Sequence, residues 1–264
     1  MKRLDGKIAL VMGASRAGNM GQAITRRFVD EGATVVIAGR SAEGLQSFAR
    51  EIGAPVSAKL CDVASKSAVS QFVEDVVHAH GRLDIAVNAA ATGHYGAFEE
   101  TSEAEIDEML SIIFKGGFFF MQSAVGAMKH SGGGSIINIS SAVATIMFEN
   151  HAAYMGAKAG LEHITRSVAN EFGRFGIRAN CIAPGLTETP MLGGFVSPGM
   201  TDAFIKEMPL GRLNTVEDIA NAAVFVASDE CFMTGQTLHV TGGLTLRRNP
   251  TAAEIAASVQ AATR

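Results

Sequence analysis

Three side chains in the second half of the chain, Ser141, Tyr154 and Lys158, could together move a proton. Tyr154 and Lys158 are four residues apart, so on a helix they share one face. A free tyrosine has a pKa of about 10, but a neighbouring ammonium and a cationic cofactor ring would favour the phenolate and lower that value. Ser141 follows an apolar run and could steady an oxygen on which charge develops. The set predicts acid/base catalysis, although Tyr-x-x-x-Lys alone is common on ordinary helices.

A glycine-rich turn, residues 13–21, joins the first apolar run to the first amphipathic segment. Glycines let the backbone approach a phosphate closely, and the following helix offers unpaired N–H groups to the anion. Many helices begin after such a turn for structural reasons alone, so its position after a first strand carries the argument. The residues expected to contact a dinucleotide here are Gly13, Ser15, Arg16, Met20 and Gly21.

The second apolar run ends in Ala38-Gly39-Arg40. An acidic residue at this point would bind the ribose of NAD and repel the additional phosphate of NADP. Gly39 removes that acid, and Arg40 supplies a guanidinium that can bind a phosphate bidentately. Arg16 could reach the same phosphate. The pair favours NADP(H) over NAD(H), although a lone arginine after a strand is usually just solvated.

Short apolar runs alternate with longer amphipathic segments along the whole chain. The runs predict strands at residues 8–12, 34–38, 56–60, 84–87, 135–139, 178–182 and 237–240. The amphipathic segments predict helices at residues 21–31, 42–52, 66–80, 103–129, 152–172 and 216–227. Strands that are apolar on both faces are typical of a parallel sheet covered by helices on both sides. The prediction is a single-domain α/β fold of the Rossmann type, with a doubly wound parallel sheet.

Right-handed crossovers place the carboxyl ends of such strands on one edge of the sheet, where ligands bind. Asp62 follows the third strand and Asn88 the fourth, so both belong to that edge. Each also has an ordinary interpretation as a turn-capping residue. We expect residues 1–246 to form one dinucleotide-binding and catalytic domain, followed by a C-terminal tail at residues 247–264.

Composition narrows the classes of function. The chain has 47% hydrophobic and 18% charged residues, which is typical of a globular protein. Its net charge of −4 gives no electrostatic reason to expect binding to nucleic acid. No apolar stretch predicts a secretion signal or a membrane span, which favours a soluble cytoplasmic protein. The three cysteines have no metal-like spacing and are expected to be buried thiols. The histidines form no metal-ligand spacing either.

The ordered motifs resemble the short-chain dehydrogenase/reductase family from about Asp5 to Gly243. The matching segments are the glycine-rich turn, Cys61-Asp62-Val63, Val87 to Ala91, Asn138 to Ser141, Tyr154 to Lys158, Ala183-Pro184-Gly185, Pro209 to Arg212 and Thr241-Gly242-Gly243. The resemblance implies that Ser141 positions the substrate oxygen, that Tyr154 is the acid/base, and that Lys158 binds the nicotinamide ribose and tunes Tyr154. It further implies a homotetramer or homodimer. The other cofactor contacts that it implies are Asp62, Val63, Asn88, Ala89, Ala90, Pro184, Gly185, Thr187 and Thr189.

The chain departs from the family pattern in three places. The glycine turn is longer, with Gly18 and Gly21 displaced, and residues 87–91 carry alanine where glycine is common. Ile113 aligns with an asparagine that in the family joins a proton relay through water. Because isoleucine cannot hydrogen-bond, we expect another polar group to rebuild the relay or proton exchange to be slower.

The expected reaction is hydride transfer between NADPH and a carbonyl carbon, with Tyr154 moving the hydroxyl proton. Residues 142–151 and 193–208 are mostly apolar, which favours a hydrophobic ketone, aldehyde or secondary alcohol as the substrate. His94 and His151 could enter this pocket. Two alternatives stay open: an enoyl C=C reductase of the same fold, and a non-catalytic NADP-binding redox sensor.

Two segments depart from the regular alternation of strands and helices. Residues 193–209 are rich in Gly, Pro and Met and could form a mobile lid over the substrate, or an excursion packed on the body of the protein. The alanine-rich tail could form a short helix against a neighbouring subunit or be disordered.

Overall fold

A seven-stranded parallel sheet forms the centre of the computed structural model, which describes residues 2–193 and 197–263. The strands are β1 (Ile8–Met12), β2 (Thr34–Gly39), β3 (Val56–Leu60), β4 (Ile85–Asn88), β5 (Gly134–Ile139), β6 (Ile177–Pro184) and β7 (Thr237–Val240). The helices are α1 (Met20–Asp30), α2 (Ala42–Ile52), α3 (Lys66–His80), α4 (Glu103–Met109), α5 (Gly116–Ser131), α6 (Ala152–Phe172), α7 (Pro198–Glu207), α8 (Val216–Ala227) and α9 (Ala252–Ala262).

The strand order is β3-β2-β1-β4-β5-β6-β7, so the order reverses between β1 and β4. Met12 of β1 is in register with Asn88 of β4, and Asn88 with Asn138 of β5. The carboxyl ends of these three strands therefore meet at one point of the sheet edge, where doubly wound folds open a ligand crevice. The predicted fold class is confirmed.

Successive side chains along each strand point to opposite faces of the sheet and so contribute to two hydrophobic cores. Leu10 and Met12 of β1 pack with α3, α5 and α6 on one face, and Ala9 and Val11 pack with α1, α2 and α8 on the other. Every residue of β4 is buried, as expected for a central parallel strand. The three cysteines are free and buried, as the sequence predicts, and burial raises the pKa of the Cys61 thiol to about 11.

The helix predicted over residues 103–129 is confirmed as one helical stretch, Glu103–Ser131, which contains a π-helical turn. A capping box between Ser102 and Glu105 begins α4, and a π-helical turn at Leu110–Lys115 separates it from α5. Such turns are rare and often lie at functional sites. The stretch Glu103–Ser131 is also the one described helical segment that is long and apolar enough to cross a membrane. Its residues Phe120 and Met128 are fully buried in the core of the protein, as in the central helix of a globular fold.

The 193–209 region and the tail pack together on the body of the protein. Within the region considered as a lid, residues 198–207 form helix α7, while residues 194–196 lie outside the described part of the chain. The tail forms helix α9, which packs against α7 of the same chain. Gly199 permits this contact, because a Cβ there would lie 2.4 Å from the Cα of Val259.

Candidate active site

A cleft of about 1000 Å³ opens at the carboxyl ends of the strands. We call the part formed by the residues that follow β1, β2, β3 and β4 the cofactor half. The part beyond Tyr154, formed chiefly by the loops after β4 and β5, α7 and the segment before α9, is called the substrate half; it is lined by His94, Tyr95, Phe148, His151, Phe204 and Asn249. The Ser141, Tyr154 and Lys158 side chains lie where the halves meet.

The glycine turn packs so closely that side chains are excluded from it. Gly13 has a φ of +95°, and a Cβ there would lie 2.6 Å from the backbone nitrogen of Ala90. A Cβ on Gly21 would lie 2.6 Å from the carbonyl oxygen of Gly13. Asn19 joins the turn to α1, because its Nδ2 donates to the Gly13 carbonyl at 2.7 Å and its Oδ1 accepts from Gln22 N–H at 2.9 Å. The turn is therefore a backbone cradle at the N-terminus of α1.

Two arginines line the outer end of the cofactor half. Arg16 and Arg40 are exposed, and neither forms an ion pair within the described part of the chain. Arg16 donates at 3.4 Å to the carbonyl oxygen of Pro190. Gly39 lets the end of β2 approach the turn, since a Cβ there would lie 2.5 Å from Ser15 Oγ. Two cations without carboxylate partners, beside a backbone cradle, favour an anionic ligand.

Asp62 and Asn88 both make the turn-capping contacts expected of such residues. Asp62 Oδ1 accepts from Ala64 N–H at 3.0 Å, and Asn88 Oδ1 accepts from Ala90 N–H at 3.2 Å. Asp62 lines the cleft, whereas Asn88 is buried behind it and shapes the loop above. The other predicted contacts that line the cleft are Gly13, Ser15, Met20, Gly21, Val63, Ala89, Ala90, Pro184, Gly185, Thr187 and Thr189.

Helix α6 and strand β5 bring the three predicted catalytic side chains together. Lys158 is fully buried, and its Nζ donates at 2.7 Å to the carbonyl oxygen of Ile139, two residues before Ser141. The same Nζ lies 5.6 Å from the centre of the Tyr154 ring. Ser141 hydrogen-bonds the Tyr154 hydroxyl. A hydroxyl pair with a nearby amine can hold an oxygen and exchange a proton with it.

The net effect of the protein's own groups is to raise the pKa of Tyr154, in contrast to the sequence-based expectation. Burial raises the pKa of Tyr154 to about 12, and the hydrogen bond with Ser141 offsets only part of that effect. Burial also lowers the pKa of Lys158 to about 8, against the opposing effects of Cys181 and Glu162. Tyr154 is therefore held as a neutral phenol, a form that can donate a proton.

The π-helical turn lies against this cluster. Ile112 lines the cleft, Ile113 belongs to the core, and Phe114 packs close to Gly160 of α6. All three side chains are apolar. No side chain of this triplet can therefore join a proton relay, whichever of them aligns with the family's asparagine.

Polar side chains behind the cluster hold strand β5 against α6. Ser140 Oγ donates at 2.6 Å to Oε1 of Glu162, and both residues are buried. Asn138 Nδ2 donates at 3.0 Å to Thr165 Oγ1 one turn further along α6. These bonds fix the end of β5, and with it Ser141, relative to Tyr154.

The substrate half is lined by rings. The His151 ring lies 4.6 Å from that of Tyr154 and 5.6 Å from that of Phe148, measured between centroids, and Phe148 lies 5.7 Å from Phe204 of α7. Asn249, 6% exposed, closes this half and donates at 3.0 Å to the carbonyl oxygen of Met147.

Sequence reasoning missed Asn19 and Asn249 and gave little weight to His94 and His151. Asn19 had a usable signal, since asparagine directly before a predicted helix is a preferred N-cap. Asn249 had none, because its place in the cleft depends on the packing of the tail on α7.

Comparison with known proteins gives a consistent result. A family model described as enoyl-(acyl carrier protein) reductase matches residues 13–245. The BbsD subunit of (2S)-[(R)-hydroxy(phenyl)methyl]succinyl-CoA dehydrogenase from Thauera aromatica is 37% identical over 248 residues, which cover 92% of this chain and 98% of the relative.

Two solved structures show the same fold. A short-chain type dehydrogenase/reductase from Mycobacterium ulcerans matches with a TM-score of 0.89 at 29% identity, covering 93% of this chain and 92% of that one. A gluconate 5-dehydrogenase from Burkholderia cenocepacia J2315, solved in complex with NADP and tartrate, matches with a TM-score of 0.87 at 30% identity, covering 93% and 97% of the two chains.

These matches extend over nine-tenths of the chain and include the strand ends around the cleft. Proteins of this kind use a nicotinamide cofactor and act on CH–OH and C=O groups of small molecules. The chain therefore belongs to the short-chain dehydrogenase/reductase family of oxidoreductases.

Proposed function

We propose that this protein is an NADP(H)-dependent oxidoreductase that interconverts a ketone or aldehyde and an alcohol, with Tyr154 as its acid/base. The observation that carries the proposal is the Ser141–Tyr154–Lys158 cluster at the meeting point of the two halves of the cleft. Homologous dehydrogenases support the same reaction type.

The cofactor half fits a nicotinamide dinucleotide. The backbone cradle at Gly13 and Gly21, which a Cβ would fill, would hold the pyrophosphate at the N-terminus of α1. Arg40 and Arg16 would bind the 2′-phosphate of NADP, and a glycine, not an acidic residue, precedes Arg40 at the end of β2. When bound, the nicotinamide supplies or accepts the hydride. The related gluconate 5-dehydrogenase was solved with NADP.

The chain's own residues supply the proton. Tyr154, whose pKa is raised to about 12, would donate its hydroxyl proton to the carbonyl oxygen while a hydride reaches the carbonyl carbon, yielding the alcohol. Ser141 would hydrogen-bond the same oxygen as charge develops on it, and Lys158 would hold the nicotinamide ribose. A protonated tyrosine is the form that the reduction of a carbonyl group requires.

Two other functions remain as alternatives. The description of the matching family model favours reduction of an enoyl C=C bond, and the apolar side chains at 112–114 favour a binding protein that senses NADP. We would follow NADPH absorbance with a ketone panel and a matched enoyl thioester. Turnover of ketones alone supports the proposal, and turnover of the thioester alone supports the enoyl reductase. Tight NADPH binding with turnover of neither would support the sensor.

We also propose that the protein forms a homotetramer or homodimer and is located in the cytoplasm. Phe232 and Leu246 are large apolar side chains that are strongly exposed, and β7 is an edge strand. Such exposed apolar groups favour association of subunits. Light scattering of the purified protein gives the oligomeric state directly.

A further inference from the structure

Two imidazoles in the substrate half carry buried nitrogen atoms without a hydrogen-bond partner in the described structure, namely Nε2 of His94 and Nδ1 of His151. His94 lies in the loop after β4, and only 11% of its side chain is exposed. His151 is the residue directly before α6. Burial of a polar atom without a hydrogen-bond partner destabilises a folded protein. Two such atoms in the lining of one cleft indicate that a ligand satisfies them.

The surroundings of each ring make both free nitrogens acceptors. Glu105 Oε1 lies 3.6 Å from His94 Nδ1 and favours the proton on that nitrogen, which leaves a lone pair on Nε2. Burial lowers the pKa of His151 and keeps its ring neutral, while a hydrogen bond to the backbone of His94 uses the single N–H of that ring. A neutral imidazole with its N–H already donated can only accept at its other nitrogen.

His151 lies close to the reacting group. It precedes Tyr154 by three residues at the start of α6, and the centres of the two rings are 4.6 Å apart. The rings of Phe148 and Tyr95 pack on its other sides, at 5.6 and 6.2 Å. These contacts fix the orientation of the imidazole before any ligand binds.

The rest of the substrate half is uncharged. In the described lining of the cleft the charged side chains are Arg16, Arg40, Asp62 and Lys158, all in the cofactor half or at the catalytic cluster. The site is therefore built for a neutral group that donates hydrogen bonds, and not for a carboxylate or phosphate.

We propose that Nδ1 of His151 accepts a hydrogen bond from a hydroxyl group that the substrate carries beside its reacting carbon, so that the enzyme interconverts hydroxy ketones and diols. This inference rests on the proposed function and names its substrate class. A 3-oxoacyl thioester presents only acceptor oxygens at this point and leaves that nitrogen unsatisfied. The hydroxyl does not react; it orients the carbonyl toward Tyr154.

The test compares three ketones of similar size: 2-hydroxyacetophenone, propiophenone, in which a methyl group replaces the hydroxyl, and 2-methoxyacetophenone, in which the oxygen can only accept. Hydroxyacetone and 2-butanone form a smaller pair. We expect kcat/KM with NADPH to be at least tenfold higher for each hydroxy ketone than for its partners, since a site with unsatisfied acceptors discriminates against a ligand without the donor. Equal rates, or a methoxy ketone as good as the hydroxy ketone, would overturn the inference and leave carbonyl reduction intact.

Variants assign the preference to the imidazoles. In His151→Leu, kcat/KM for the hydroxy ketone should exceed kcat/KM for propiophenone by less than threefold. His151→Gln keeps an acceptor oxygen and should restore part of this preference. His163 lies on the exposed side of α6, so His163→Leu is the matched control. This variant should keep the wild-type ratio of the two kcat/KM values. A ratio unchanged in His151→Leu would also overturn the inference. If none of the ketones is reduced, the proposed function fails together with it.

A second readout does not depend on turnover. The melting temperature of the enzyme with NADP⁺ should rise more with 1-phenyl-1,2-ethanediol than with 1-phenyl-1-propanol, because only the diol offers a second donor. The difference should disappear in His151→Leu. The same rise with both alcohols would contradict the proposed role.

Discussion

The two halves of the cleft are shaped by different parts of the chain. In the cofactor half the backbone sets the shape: glycines at 13, 21 and 39 allow contacts that a Cβ would block, over strands that are buried on both faces. In the substrate half rings and a helix pair set the shape, and these come from loops, α7 and the tail. The comparison shows that the shape of the cofactor half depends on the backbone, whereas the shape of the substrate half depends on side chains that are held in place by packing.

The largest expected effect comes from the point where the halves meet. Tyr154→Phe removes the hydroxyl and keeps the ring that packs on His151. We expect kcat for carbonyl reduction to fall about 10²–10⁴-fold, the usual contribution of a general acid, while the Kd for NADPH from fluorescence titration changes less than threefold. Tyr95→Phe alters the other tyrosine of the chain and should lower kcat less than tenfold. A kcat for Tyr154→Phe within tenfold of wild type would remove Tyr154 from the mechanism.

The next effect is confined to the cofactor half. Arg40→Ala should raise the KM for NADPH about 10–100-fold and leave that for NADH within threefold, because a charge-assisted hydrogen bond contributes about 1.5–3 kcal/mol. Arg50→Ala, an exposed arginine of α2 away from the cleft, is the control. If both cofactors weaken equally, Arg40 does not read the 2′-phosphate.

A mutation at the α7–α9 contact should act on the substrate half alone. In Gly199→Ala the new Cβ would lie 2.4 Å from the Cα of Val259 and push α9 away from α7. We expect the KM for the carbonyl substrate to rise about three- to tenfold and the free energy of unfolding to fall by about 1–3 kcal/mol, as for an overpacked core. The KM for NADPH should stay within twofold.

Gly126→Ala is the matched glycine control for this test. Gly126 lies on α5, and a Cβ there would meet no atom within 4 Å, so alanine should stabilise the protein by about 0.5–1 kcal/mol. Equal effects of Gly199→Ala on both KM values would show that the halves are coupled through α7.

The smallest effect concerns the pH dependence of stability. Lys158 has a pKa of about 8 in the folded protein, below the ordinary 10.5. Between these values the unfolded chain binds the proton and the folded chain does not, so stability rises with pH. Between pH 8 and pH 9 the free energy of unfolding, measured with urea, should rise by about 1 kcal/mol more in wild type than in Lys158→Met. Lys66→Met, at an exposed lysine, should behave as wild type, and a slope shared with Lys158→Met would contradict the lowered pKa.

Most of the fold and of the cofactor half could be predicted from the sequence. Apolar runs between glycine turns are a local signal, and the residues after each run must lie at one edge once the sheet is parallel. The same reasoning predicts that Ser141, Tyr154 and Lys158 lie together in one cluster. Asn88 lies behind the cleft and not in its lining, because a side chain at the end of a central strand can turn into the core as easily as into the cleft.

The substrate half could not be predicted in this way. The sequence predicts a mobile lid or an excursion packed on the body of the protein where the structure has helix α7, because glycine and proline residues weaken the helical signal there. The contacts that hold this helix come from α9, some fifty residues later. The raised pKa of Tyr154 was missed for a related reason: the sequence shows the neighbouring lysine but not how far both groups are removed from water.

By itself the sequence determined the seven strands and most of the helices, the backbone cradle and the types of the catalytic groups, because each follows from residue type and local spacing. Only the tertiary structure decided which side chains face the substrate, how strongly Tyr154 holds its proton, and that His94 and His151 are left with unsatisfied acceptors. These properties depend on burial and on contacts between segments distant in the chain, and no local pattern encodes them.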